Sequence, residues 1–329
     1  MALDVRNFGP EGWPVARFGM GCGGVGGLMV RGAPADQDRV IGRALEAGIT
    51  YFDTAVQYGN GASEENLGRV LRALKPRQAL VGTKVRIPSA EFGDIAGWIT
   101  RSLEGSLARL QRDQVDIFYL HNEIGLAGGG ETLSVRQVLE EVVPAFQALQ
   151  AAGKFRLPAI TALGETAALQ QVLDTGFFGA AQVVYNLLNP SAGADVPAGF
   201  PAQNYEKLLL RCQAARIGTV GIRVLAGGAL SGTTTRHPVA SAAPPPLGSG
   251  RSFAEDIARA ADLAPLVTEG FAASLPEAAI RFALTPPGPD VLLVGTASPE
   301  EFDGALAAIA RGPLPPEALA LVQKIEAAF

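Results

Sequence analysis

Cysteine, long apolar runs and surplus positive charge are all scarce in this chain, and each shortage removes a class of protein. The cysteines are Cys22 and Cys212 and no others. Two cysteines so far apart make neither a disulfide framework nor a metal-ligand pattern. No metal is therefore expected, and a reducing cytoplasm is the expected compartment. No apolar run reaches the roughly 18 residues that a membrane helix needs. The opening stretch MALDVRNFGPEG has no basic segment followed by an apolar one, so no signal peptide is read there. A net charge of −5 leaves no basic stripe of the kind a nucleic-acid surface requires. What remains is a soluble globular chain. Its 48% apolar content is enough for a large core.

Glycine and proline, by contrast, are plentiful. They fall between periodic segments and read as loop punctuation. Between them, short apolar strands alternate with amphipathic helices. Strands are read at 16–21 (ARFGMG), 49–53, 79–85 (ALVGTKV) and 115–122 (VDIFYLHN), then at 155–161, 180–186, 217–224 and 291–296. The 115–122 run is almost wholly apolar, as in a parallel strand covered on both faces. Pro158 weakens the 155–161 strand by removing a ladder donor. After the first strand, Val40, Ile41, Ala44 and Leu45 make one helical face, which Gly48 ends. Ser63 is read as the N-cap of the helix whose stripe is Leu67, Val70, Leu71 and Leu74. A helix is expected at 135–152, interrupted or begun at Pro144, one at 203–216, and a last one near 315–328. Residues 227–252 have no periodicity and form a long loop or lid. Eight strands, each followed by helix, give an α/β fold, a (β/α)8 barrel of one domain over 1–329.

The chemistry gathers at strand ends. Asp53 closes the second strand and Tyr58 follows in the turn. Lys84 lies at the end of the third strand and His121 at the end of the fourth. In a barrel these ends converge on one mouth. A lysine beside a tyrosine favours the phenolate and draws the phenol's pKa down toward working pH. An aspartate keeps that lysine charged, and a histidine can orient a carbonyl oxygen. Together they make a general acid that protonates a carbonyl oxygen as a hydride reaches its carbon. Each residue also has a plainer reading. Asp53 can cap a turn, Tyr58 can pack on the rim, Lys84 can be solvated, and His121 can be a satisfied core polar group. Four such residues on consecutive strands favour the site.

With these residues the sequence resembles the aldo-keto reductase superfamily over essentially its whole length. GITYFDTAVQYGNGASEENLGRVL resembles the family's signature around its catalytic Asp and Tyr. VGTKV resembles its lysine strand and DIFYLHN its histidine strand. The resemblance implies a nicotinamide cofactor bound without a Rossmann domain, and a catalytic tetrad of Asp53, Tyr58, Lys84 and His121. It also implies that Tyr58 is the acid in reduction and the base in oxidation. The cofactor residues depart more from the family pattern. Thr161 and Ala162 stand where the family has Ser-Asn, while Gln182 matches its amide-binding strand. Arg223 stands in place of the stacking tyrosine. Leu225 and Gly227, in a run extending to Gly228, match the pyrophosphate cradle. The loop holding Gly23 borders the nicotinamide pocket. At the eighth strand the cofactor candidates are Gly295, Ser298 and Glu301. Where the family carries a basic residue this chain has Ala297, and Glu301 would repel a 2′-phosphate, so NAD is favoured over NADP. Ser298 to Glu301 also reads as a capping box.

Gly19-Met20-Gly21-Cys22-Gly23-Gly24 fits a dinucleotide fingerprint, but GVGGLMVRGAPA intervenes before any helical pattern, which argues against a Rossmann reading. Two further functions stay open on the same barrel. One is a nicotinamide-binding regulatory or redox-sensing subunit with little turnover. The other is a Schiff-base aldolase using Lys84.

Overall fold

The structure is a computed structural model that describes residues 3–249 and 252–326. Residues 250 and 251 of the expected lid, and the 327–328 end of the expected last helix, lie outside the described residues.

Eight parallel strands close into one barrel in sequence order. They are β1 (Phe18–Gly21), β2 (Tyr51–Asp53), β3 (Leu80–Val85), β4 (Val115–Leu120), β5 (Phe155–Thr161), β6 (Ala180–Val184), β7 (Gly218–Ile222) and β8 (Val291–Gly295). All six residues of β4 are buried, as its unbroken apolar run requires. Pro158 does not interrupt β5. The strand runs seven residues, and Pro158 pairs in register with Phe118. Registers set the mouth: Gly21 pairs with Asp53, Asp53 with Gly82, and Lys84 with Tyr119. Side chains alternate across a strand. Residues 51 and 53 on β2, 82 and 84 on β3, and 117 and 119 on β4 therefore share the inward face.

Helices sheathe the strands. Helix α1 (Pro34–Glu46) buries Val40, Ile41 and Ala44, and the chain turns at Gly48 with a left-handed φ of 86°. Helix α2 (Ala62–Leu74) buries Leu67, Val70 and Leu71. Its N-cap is Gly61 rather than Ser63. Ser63 lies inside the helix, fully buried, and its hydroxyl donates to the Cys22 carbonyl at 2.9 Å and pairs with Thr54 Oγ1 at 2.7 Å. Helix α3 (Ile95–Leu110) packs Ile99, Leu103 and Leu107 inward. The 135–152 segment is a helix with a wide turn at Val138–Val142, after which α4 (Val143–Ala151) begins with Pro144. Proline has no N–H for the carbonyl one turn back, and the wider turn absorbs that loss. Helix α5 (Thr166–Asp174) follows β5. Helix α6 (Leu208–Ala214) is shorter than the expected 203–216, because Glu206 and Lys207 hold left-handed backbone just before it. Helices α7 (Leu275–Leu284) and α8 (Pro299–Ala310) flank β8 in sequence. No helix among the described residues is long and apolar enough to cross a membrane.

One element was not read from the sequence. Val5–Phe8 and Trp13–Ala16 form an antiparallel hairpin, so Ala16 belongs to it and not to β1. Phe8, Trp13 and Val15 join the cluster inside the barrel with Tyr51, Ile117, Leu157, Val220 and Val291. Phe8 reaches the start of β7, since a Cβ at Gly218 would stand 2.8 Å from its ring. The hairpin thus plugs the barrel at the end opposite the mouth.

Candidate active site

Three of the four strand-end residues are joined by hydrogen bonds. The Lys84 ammonium donates to Asp53 Oδ2 at 2.6 Å, to the Thr54 carbonyl at 2.9 Å and to the Tyr58 hydroxyl at 3.1 Å. It also sits 4.6 Å from the centre of the Tyr58 ring. His121 completes the group, its ring edge-on to Tyr58 with centroids 6.3 Å apart. Lys84 is fully buried and Asp53 nearly so, while Tyr58 and His121 are partly open to the mouth.

Burial and pairing set the protonation states. Burial alone would lower the Lys84 pKa, but Asp53 and Tyr58 outweigh it and hold the ammonium above its ordinary value. For Tyr58 the balance runs against the sequence expectation. Burial pushes the phenol up, and the pull of Lys84 only partly offsets it, with Asp53 adding to the rise. Tyr58 is therefore firmly protonated at neutral pH. Burial, together with Lys84 and Arg86, lowers the His121 imidazole to about 3, so it is neutral. Its Nδ1 is buried without a partner.

The expected cofactor residues are divided between two groups. Thr161 and Gln182 belong to the buried network. The Gln182 amide donates to Asp53 Oδ1, and its oxygen accepts from Thr161 Oγ1 at 3.3 Å. The Ala162 N–H, from the residue that lacks a side-chain donor, bonds the Gln182 carbonyl at 2.8 Å. Gly23 lies against Tyr58, where a Cβ would stand 3.5 Å from the ring. Cys22, the preceding residue, is buried.

The second group lies beyond β7 and β8. Arg223 has left-handed backbone, with φ of 57°. Its guanidinium points toward the Pro245 carbonyl, 3.5 Å away, and toward Gly227. Leu225 begins a tight turn over Ala226–Ser231, in which Gly227 and Gly228 take φ of 69° and 108°. Only glycine adopts such values freely. Gly295 is exposed at the end of β8. Ser298 accepts from the Glu301 N–H at 3.3 Å, and the Glu301 carboxylate accepts from the Ala297 N–H at 2.7 Å. Both side chains therefore cap α8. The Thr296 hydroxyl beside them is buried without a partner.

Sequence reasoning missed several parts of this region. The 227–249 part of the expected lid is tied across the glycine loop by two arginines. Arg31 donates to the carbonyls of Val239 and Gly24 at 2.7 Å each, and Arg236 donates to those of Gly227 at 2.9 Å and Val25 at 3.3 Å. Tyr51 and Tyr119 lie beneath Asp53, and the period-two alternation of β2 and β4 was the signal for them. A cleft of about 450 Å³ opens beside the mouth, lined by Glu123, Ile124, Thr132, Gly164, Glu165 and Gln203 among others. None of the four strand-end residues lines it. The polar contacts converge instead at Lys84.

Comparisons with known proteins bear on the family and on the barrel fold. The sequence profile described as the aldo/keto reductase family matches residues 17–327. L-galactose dehydrogenase of Arabidopsis thaliana is 35% identical over 164 residues, a stretch covering 49% of this chain and 49% of the plant enzyme. The chain thus spans about half the length of that relative in the match. Aldo-keto reductase YhdN of Bacillus subtilis is 26% identical over 92% of this chain and 87% of its own. Among solved structures, the glycerol dehydrogenase AKR11B4 of Gluconobacter oxydans superposes with a TM-score of 0.72 at 24% identity, covering 100% of this chain and 96% of that one. An aldo/keto reductase of Klebsiella pneumoniae, solved with NADP and acetate, superposes at 0.69 with 21% identity, covering 99% and 96%. The chain belongs to the aldo/keto reductase family.

Proposed function

We propose that this chain is an NAD(P)-dependent oxidoreductase that reduces an aldehyde or ketone, or oxidises an alcohol or sugar lactol, with Tyr58 as general acid and base. One observation carries the reading: the buried Lys84 ammonium bridges the Asp53 carboxylate and the Tyr58 hydroxyl. A bound nicotinamide supplies or accepts the hydride at the substrate carbon. Tyr58 gives its proton to the carbonyl oxygen, and Lys84 stabilises the phenolate left behind. Neutral His121 can donate a hydrogen bond to the same oxygen. In oxidation the same phenolate takes the proton back. The bound state of Lys84 opposes the aldolase reading, since all three ammonium hydrogens are engaged and a Schiff base needs a free lone pair.

The chain's own residues fit a dinucleotide. His121 Nδ1 and Thr296 Oγ1 are buried polar atoms without partners at the strand ends. Gly23 leaves the Tyr58 ring open, and the Gly227–Gly228 turn lets a backbone approach closely. The residues that would hold it are Gly23, Thr161, Gln182 and Arg223 around the nicotinamide, and Leu225 and Gly227 at the pyrophosphate. Gly295, Ser298 and Glu301 would flank its adenosine end. Ala297 offers no cation and Glu301 is an anion, which favours NAD. The Klebsiella neighbours were solved with NADP or NADPH, so the preference rests on this chain's residues alone.

The test is Tyr58→Phe. Loss of a positioned acid should lower turnover on an aldehyde and sugar panel by about 10²–10⁴-fold while cofactor binding, followed by NADH and NADPH fluorescence, is kept. Near wild-type turnover in that variant would refute the assignment. Tight cofactor binding with negligible turnover in the parent chain would support the regulatory barrel instead. NADPH binding as tightly as NADH would overturn the NAD preference.

A further inference from the structure

The mouth chemistry uses Asp53 Oδ2. Its other oxygen, Oδ1, is held from inside the barrel. The Gln182 amide donates to it, and so does the Tyr51 hydroxyl, at 3.3 Å. Because Tyr51 spends its one hydrogen on Asp53, the 2.8 Å contact between the Tyr51 and Tyr119 hydroxyls must be a donation from Tyr119. Tyr119 touches the site a second time, its ring centre lying 5.8 Å from Lys84 Nζ.

This arrangement has its own slot. Tyr51 and Tyr119 are both buried, and space for Tyr51 is cleared by glycines on the two neighbouring strands. A Cβ at Gly19 would stand 2.9 Å from the Tyr51 ring, and a Cβ at Gly82 would stand 3.0 Å from its hydroxyl and 3.1 Å from the Tyr119 ring. From below, Phe8 of the hairpin stacks on Tyr51 with centroids 6.3 Å apart. A hydrophobic packing role would need neither hydroxyl, and phenylalanine would fill the same slot.

We propose that Tyr51 and Tyr119 are positioning residues for the reaction, fixing Asp53 from inside the barrel so that Oδ2 faces Lys84. The inference rests on the oxidoreductase reading above. A carboxylate with fewer donors on Oδ1 is more basic. It draws the shared proton of Lys84 toward itself and leaves less positive charge for the Tyr58 phenolate. The titratable and charged groups facing this cluster are Asp53, Lys84, Tyr58, Cys22 and the two tyrosines themselves, with the Gln182 amide alongside, and His121 and Arg223 face Tyr58 from the mouth. The effect should appear in the pH dependence of oxidation, where the Tyr58 phenolate is the base.

The decisive variant is Tyr51→Phe, which keeps the ring on Phe8 and deletes the hydroxyl. The 3.3 Å contact is long for an O–H donor, so the expected fall in kcat is about five- to tenfold. Cofactor affinity should be unchanged, and the limb of rising oxidation rate should move to higher pH. Tyr119→Phe should move that limb the same way by less, because its hydroxyl acts through Tyr51. Parental kcat with an unmoved limb in Tyr51→Phe would overturn the proposal. If Tyr51→Phe does not fold, Tyr119→Phe decides, and an unmoved limb there overturns it equally. Tyr58→Phe separates the two readings. Should it keep turnover, the oxidoreductase assignment fails; should it be inactive while the tyrosine variants behave as the parent, this inference alone fails.

Discussion

At the residue scale, His121 shows how burial sets chemistry. Its imidazole has a buried nitrogen without a partner and faces the positive charges of Lys84 and Arg86. Burial is the larger cause, and together they lower the pKa from 6.5 to about 3. The sign for stability follows from proton uptake. Between these values the unfolded chain binds a proton at this ring and the folded chain does not, so stability is full above pH ~6.5 and falls as pH drops. At pH ~5.5 the loss from this one ring should be up to about 1.4 kcal/mol. Urea denaturation of the parent and of His121→Gln, at neutral pH and near pH ~5.5 where ordinary carboxylates remain ionised, isolates the effect. The variant should lose less on acidification. Equal losses in both proteins would mean that the folded state protonates His121 freely. The same residue shows what sequence could and could not give. Its place at the end of β4 was legible in VDIFYLHN, but its neutrality depends on burial, which no single strand reveals.

At the element scale, helix starts separate local rules from tertiary ones. Ser298 followed by Glu301 was read as a cap and behaves as one, and Ser252 and Ser274 do the same with Glu255 and Glu277. Ser63, which has Asn66 and not Glu or Gln three residues on, was also read as an N-cap and is not one. The turn that carries Tyr58 delivers Gly61 to the cap position with φ of 96°, and Ser63 is turned inward to Thr54 and Cys22. Gly61 is also pressed against Arg109, the partner of the buried Glu64, and a Cβ there would meet Arg109 Cδ at 2.6 Å. Gly61→Ala should therefore cost at least ~1–2 kcal/mol from backbone handedness alone, measured by thermal or urea unfolding. A change within ~0.5 kcal/mol, the range of an ordinary surface site, would show that the turn does not depend on this conformation. The strands were legible because apolar runs in a parallel sheet carry their own signal. The hairpin was not, because Val5, Arg6 and Asn7 are exposed and Pro14 sits in its second strand, so no alternation marks it. The expected cofactor side was harder to read for a related reason. Arg31 and Arg236 join the glycine loop and the 227–249 segment by guanidinium bonds to backbone carbonyls, the joining ones more than 200 residues apart in sequence.

At the scale of the whole molecule, the barrel has two ends with different tasks, and Phe8 joins them. The mouth holds an ion pair whose burial needs a rigid frame. The opposite end is closed by a hairpin that contributes Phe8, Trp13 and Val15 to the interior cluster. Phe8 is only 2% exposed and packs between the Tyr51 ring and the start of β7. Its truncation to alanine leaves a hole where β2 and β7 face each other across the barrel. The expected cost is that of a buried phenylalanine, about 3–5 kcal/mol. Val5, on the same hairpin but 56% exposed, is the internal control, and Val5→Ala should change stability by less than ~0.5 kcal/mol. Both can be read from urea midpoints, with an unchanged m-value showing that the folded and unfolded states keep their compactness. If the two alanine variants were equally stable, the hairpin would be a surface appendage and the barrel would close without it. If Phe8→Ala is destabilised as expected, the plug belongs to the core, and the floor on which Tyr51 stands is built from the first residues of the chain.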